Sequence, residues 1–142
     1  MTLQVELLEE SFEKIKPRAD EFATRFYGYL FGDYPEAQPL FANTDMEEQK
    51  NKLFKSLVLV VNNLRKPNEL TNPLKGLGAR HVQYGALPQH YPMVGKSLLK
   101  AFEAILKDDW TPEVKQAWID AYAAITKLML EGADYPEEIY RM

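Results

Sequence analysis

Apolar residues recur along most of this chain at intervals of three and four, the spacing of one helix face. Leu8, Phe12 and Ile15 mark a first segment. Phe22, Phe26 and Leu30 mark a second, with Tyr27 and Phe31 beside them. Leu53, Leu57, Val61 and Leu64 form a third stripe. Val94, Leu98, Phe102 and Leu106 form a later one, and Trp118, Tyr122, Ile125 and Met129 the last. The run Leu57-Val58-Leu59-Val60-Val61 has strand propensity, but it continues a long periodic segment. It therefore reads as helix, buried on two sides.

Proline punctuates this pattern at 17, 35, 39, 67, 73, 88, 92, 112 and 136. The stretches 18–34, 40–66, 74–87, 93–111 and 113–135 between them are proline-free and mostly helical in pattern, because proline suits a first turn and breaks an interior. Thr44-Asp45-Met46-Glu47 has the form of a capping box. Asn72-Pro73 and Thr111-Pro112-Glu113 each read as an N-cap followed by proline at the first helical position. The expectation is an all-α fold of about seven helices over a single domain, 1–142, with 132–142 a short C-terminal extension. Simple bundles use few, long, similar helices. Here lengths are uneven and a short segment, 35–41, is wedged between two long ones, which suits helices crossing steeply around a cavity.

A chain of 142 residues buries roughly 70% of its unfolded surface, enough for a core and an internal pocket. Its net charge of −4 comes without a basic patch, so nucleic acid is not an expected partner. The uncharged stretch from Ser56 to Leu64 is too short to span a bilayer, and no membrane is expected. Glu6, Glu9 and Glu10 replace any apolar signal core, which points to a cytoplasmic protein. The absence of cysteine removes disulfides, thiolate nucleophiles, iron–sulfur clusters and Cys-ligated zinc.

The candidate chemistry centres on His81, one of two histidines. Imidazole is the commonest side-chain metal ligand. A lone histidine cannot close a zinc site, which wants about four protein ligands. It can hold the iron of a haem, because the porphyrin supplies the other four donors. Other residues fall into register with it. Tyr27 and Phe31 share a helix face, and Phe41 closes the short segment. Gln49, Leu53 and Leu57 line one stripe, Leu77, His81 and Tyr84 another, and Tyr91 and Val94 begin the next helix. An amide and a phenol would then face the histidine across an apolar slot. Gln49 otherwise reads as a surface residue at a helix start, and His90 as a loop residue rather than a ligand.

In this order and spacing the chain resembles the single-domain bacterial globins and the globin half of flavohaemoglobins. The resemblance rests on Phe-Tyr-x-x-Leu-Phe at Phe26 to Phe31, Pro35, Pro39-Leu40-Phe41, Gln49 and Leu53. It continues through Arg80-His81, His90-Tyr91-Pro92-Met93-Val94-Gly95, Ala117-Trp118 and Ala121-Tyr122. It implies one non-covalent haem b, with His81 as proximal iron ligand steadied by the Leu77 carbonyl and packed by Tyr91. It implies Phe41 stacked on the porphyrin, Tyr27 and Gln49 on the distal side, and Leu53 shaping the gas pocket. Leu57, Tyr84 and Val94 complete the cofactor contacts. Lys52 and Arg80 are candidate partners for the propionates, or are solvated surface cations. In one respect the chain departs from the family pattern. Flavohaemoglobin-like globins keep a late-helix glutamate that supports the proximal histidine. The matching position, counted from Tyr122, is Ala133, and Glu131 is two residues early.

The resemblance implies dioxygen, nitric oxide or another diatomic gas as ligand. The expected function is tight dioxygen binding at ferrous iron, with nitric oxide dioxygenation supported by an external reductase. The alternative is oxygen storage or delivery, or gas sensing, without turnover.

Overall fold

The computed structural model describes residues 4–83, 86 and 88–133, and among them every regular element is helical. Helix α1 spans Val5–Ile15 and α2 spans Ala19–Asp33, joined by a 3-10 turn at Lys16–Arg18. A 3-10 helix, Pro35–Phe41, precedes α3 at Met46–Asn62. Helix α4 spans Asn68–Gln83, α5 spans His90–Leu106, and a 3-10 turn at Lys107–Asp109 leads to α6 at Pro112–Ala133. Six α-helices and the seven-residue Pro35–Phe41 helix make up the expected set of about seven. Residues 134–142 of the expected C-terminal extension lie outside the described residues.

Most of the periodic residues are buried. Leu8, Phe12 and Ile15 of α1 are fully enclosed, as are Phe22, Phe26 and Leu30 of α2. An aromatic seam ties the core together. The Phe12 ring stacks on Phe54 at 5.3 Å, Phe22 meets Phe102 at 4.8 Å, and Phe102 stacks on Trp118 at 4.2 Å. Such pairs add to the stabilisation that their buried area already brings. The Trp118 indole N–H donates to Ser11 Oγ at 2.9 Å, and that hydroxyl donates in turn to the Leu7 carbonyl at 2.7 Å. The two polar groups buried in this seam thus satisfy each other.

Several boundaries differ from the sequence expectation. The cap of α3 is Asp45 rather than Thr44, and its carboxylate accepts from the backbone N–H of Glu47 and Glu48. Helix α4 starts at Asn68, with Pro73 inside it, rather than at Asn72-Pro73. Leu70 and Leu74 are both buried one turn apart, and their burial draws the turn before Pro73 into the helix. His90 is the first residue of α5 and not a loop residue. That helix ends at Leu106, well before 111, because Lys107 takes a φ of 51°. Thr111 does cap α6, its Oγ1 accepting from Val114 N–H at 3.2 Å. Within Leu57–Val61, Leu57, Val60 and Val61 are buried while Leu59 is 40% exposed, so this helix keeps one open side.

Helix α2 packs on α3 and α5, while α4 packs chiefly along α6. No helix among the described residues is long and apolar enough to cross a membrane.

Candidate functional site

On one side stands Tyr27, placed inward by the α2 stripe and only 5% exposed. Its ring is caged by others. Phe26 meets it at 4.7 Å, Phe31 at 5.9 Å and Phe41 edge-on at 5.7 Å. Phe31 and Phe41 themselves meet at 5.4 Å. Phe41 is brought there by the Pro35–Phe41 helix, whose two prolines fix its backbone. Burial pushes the Tyr27 phenol up to about 12, and a hydrogen bond with the Gln49 side chain works in the opposite direction. The phenol is therefore neutral and able to donate a hydrogen bond, with the amide that the spacing singles out close enough to influence it. Gln49 lies on the first turn of α3, half-buried, four residues after the Asp45 cap.

On the other side His81 sits near the end of α4, half-buried. Its Nδ1 lies 2.7 Å from the carbonyl oxygen of Leu77. A carbonyl can only accept, so Nδ1 carries the proton and the ring's lone pair is on Nε2. Burial holds the imidazole below its usual pKa. The Leu77 carbonyl opposes that effect, and the neighbouring Arg80 charge reinforces it. The result is a neutral imidazole in the tautomer a metal ligand requires, oriented by a second partner.

The remaining candidates divide. Leu53, Leu77 and Val94 are half-buried apolar side chains on α3, α4 and α5. Phe41, at the end of the Pro35–Phe41 helix, is half-buried as well. Leu57 is buried and lines a small apolar cavity of about 20 Å³ with Gly95, Leu98, Phe102 and Trp118. Tyr91 is buried in the first turn of α5, and its carbonyl accepts from the Tyr122 hydroxyl at 2.6 Å. Lys52 and Arg80 are exposed. Tyr84 lies outside the described residues. Among the described residues no three His, Cys, Asp or Glu side chains gather to hold a metal ion. Glu131, the acid nearest the departed family position, is exposed and pairs with Lys75 at 3.9 Å.

The residues present fit a haem. A histidine locked in the ligating tautomer and half-buried apolar side chains on three helices match a flat, largely apolar group carrying one open metal position. A neutral phenol and an amide match its gas-binding face. Sequence reasoning did not foresee the Tyr122–Tyr91 hydrogen bond. Its signal was Tyr122 standing in an otherwise apolar stripe, where a buried hydroxyl needs a partner.

Comparison with known proteins identifies the fold. The family model described as Globin matches residues 24–129. A globin-like protein of Aquifex aeolicus is 30% identical over 126 residues, covering 89% of this chain and 88% of that protein. The flavohemoprotein of Bacillus subtilis is 30% identical over 123 residues, covering 85% of this chain. The chain spans only 31% of that flavohemoprotein's length. Among solved structures, a bacterial globin from Campylobacter jejuni superposes with a TM-score of 0.79 at 25% identity, covering 98% of each chain. An engineered carbene transferase of Rhodothermus marinus, described as a nitric oxide dioxygenase, gives 0.83 at 25% identity, covering 99% of this chain and 97% of that one.

Proposed function

The chain belongs to the globin family, and on that premise we propose that it is a haem globin that binds dioxygen tightly and acts in nitric oxide dioxygenation. The reading takes 1–142 as one globin domain, with His81 as the iron ligand. The observation that carries it is the His81 Nδ1–Leu77 carbonyl hydrogen bond at 2.7 Å, which puts the lone pair on the nitrogen that would meet the iron. A ferrous haem b bound there supplies reversible coordination of a diatomic gas. The protein's residues do the rest. Tyr27, neutral and caged, would donate a hydrogen bond to the gas ligand, and Gln49 a second. Leu53 would limit the space beside it. Phe41, Leu57, Leu77, Tyr91 and Val94, with Tyr84 by its place in the sequence, would hold the macrocycle. Lys52 and Arg80, exposed on α3 and α4, would pair with the propionates.

Nitric oxide and dioxygen combine to nitrate with the uptake of one electron, so turnover needs a separate reductase. Likeness to flavohemoproteins and to the Rhodothermus protein supports this reaction class. The test is steady nitrate production from nitric oxide when a flavin reductase and NADH are supplied. If no reductase keeps the cycle running, the dioxygenase reading fails. A second reading, oxygen storage, delivery or sensing without turnover, draws on one observation. Glu131, the acid nearest the family's late-helix position, is engaged with Lys75 at the surface.

A further inference from the structure

Two glycines mark the place where α4 and α6 touch most closely. A methyl group added at Gly78 would overlap the carbonyl of Met129 and stand 2.7 Å from its Cα. One added at Gly132 would overlap the backbone of Lys75. The relation is reciprocal. Each glycine meets the partner helix three residues before the partner's own glycine, so the two helices run antiparallel and cross backbone to backbone. Interaxial distance is set by the side chains at the contact, and here neither helix offers one. The other described helical glycines meet no backbone: Gly95 would meet the side chain of Tyr122, its ring 2.7 Å away. Gly28 and Gly32 have nothing within 4 Å of such a methyl, and Gly76 meets only the flexible guanidinium of Arg80 at 3.6 Å. A glycine inside a helix is less favourable than alanine unless close approach requires it. At Gly78 and Gly132 it does.

The crossing lies on the turn that carries the proposed ligand. Gly78 follows Leu77, whose carbonyl holds His81, and precedes His81 by three residues. Directly packed backbones do not yield smoothly, so the crossing fixes where that turn sits. We infer that Gly78 and Gly132 are positioning residues. They lock the histidine-bearing helix onto α6 by backbone contact and so set the placement of His81 toward the proposed metal. The inference rests on the proposed haem ligation by His81. An absorption spectrum of the unaltered protein tests that reading separately.

The experiment compares Gly78→Ala, Gly132→Ala and, as control, Gly28→Ala in the haem-loaded protein. Resonance Raman reads the iron–histidine stretch, and stopped flow reads oxygen dissociation. The two crossing variants are expected to retain haem while the stretch moves to lower frequency and dissociation changes several-fold. Gly28→Ala should leave both as in the parent. Crossing variants that bind haem with the parent's stretch would overturn the inference. If neither crossing variant folds, hydrogen exchange of the unaltered, haem-loaded protein decides it. The amides of 75–78 and 129–132 should be among the slowest to exchange, and fast exchange there also overturns it.

Discussion

The imidazole of His81 is hydrogen-bonded through Nδ1 to the carbonyl oxygen of Leu77, 2.7 Å away and one turn earlier in α4. The ring is thus oriented by its own helix. Replacing His81 with Ala removes the proposed ligand but spares that helix. The variant should keep its helicity, lose the normal Soret band, and regain a haem spectrum when imidazole is added. A spectrum unchanged from the parent would move the iron to another residue.

Tyr27 should be the main brake on oxygen release. A hydrogen bond to a charged acceptor contributes roughly 1.5–3 kcal/mol, so Tyr27→Phe should speed dissociation by about ten- to a hundred-fold. Gln49→Leu should do so by less, since Gln49 is only half-buried. Stopped-flow displacement by carbon monoxide measures both, and an unchanged rate in Tyr27→Phe would mean that the phenol does not reach the ligand.

The same phenol predicts an alkaline effect on stability. Its pKa is pushed up to about 12 by burial, against about 10 in an unfolded chain. Between those values the unfolded chain has released a proton that the folded chain keeps. Stability is fully present below about pH 10 and falls as pH rises toward 12. Denaturant titrations should show the parent losing more stability than Tyr27→Phe across that window and no difference in slope below it.

Glu131→Gln breaks an ion pair of 3.9 Å between side chains that are 44% and 45% exposed. Such pairs contribute about 0–1 kcal/mol. The substitution should barely shift the melting temperature and should leave the iron–histidine stretch where it is. A moved stretch would place this carboxylate in the proximal network after all.

Asp45→Ala removes the α3 cap and should cost about 1 kcal/mol of stability by denaturant titration. The cap lies one turn before Gln49, so oxygen dissociation should also rise modestly. Asp45→Asn, which caps equally well, should restore both.

Much of this molecule could be read from spacing. The stripes through Phe12, Phe26, Leu57, Phe102 and Trp118 became the core because a period of three to four with large apolar side chains has few other uses. His81, Tyr27 and Gln49 stood out because each is a polar group in an apolar register. What spacing could not give was set by tertiary contact. The start of α4 depended on burial of Leu70, and the end of α5 on the positive φ of Lys107. Thr44 and Asp45 are adjacent candidates for one cap, and only the backbone geometry chooses between them. Gly78 and Gly132 were silent for the same reason. A glycine in a helical pattern shows its purpose only once the opposing backbone is known.

The cage of Phe26, Phe31 and Phe41 around Tyr27 makes Tyr27 and Gln49, the two proposed donors, unequal in their capacity to change. Any replacement of Tyr27 by a side chain without the same ring must refit three rings at once, so that position is tied to the integrity of the core. Gln49 projects from the first turn of a helix and is half-open to solvent, and it can be exchanged with little repacking. Selection acting on the gas preference of such a protein would therefore find its cheapest steps at position 49. Descendants of this chain would diversify there first while the phenol stayed fixed.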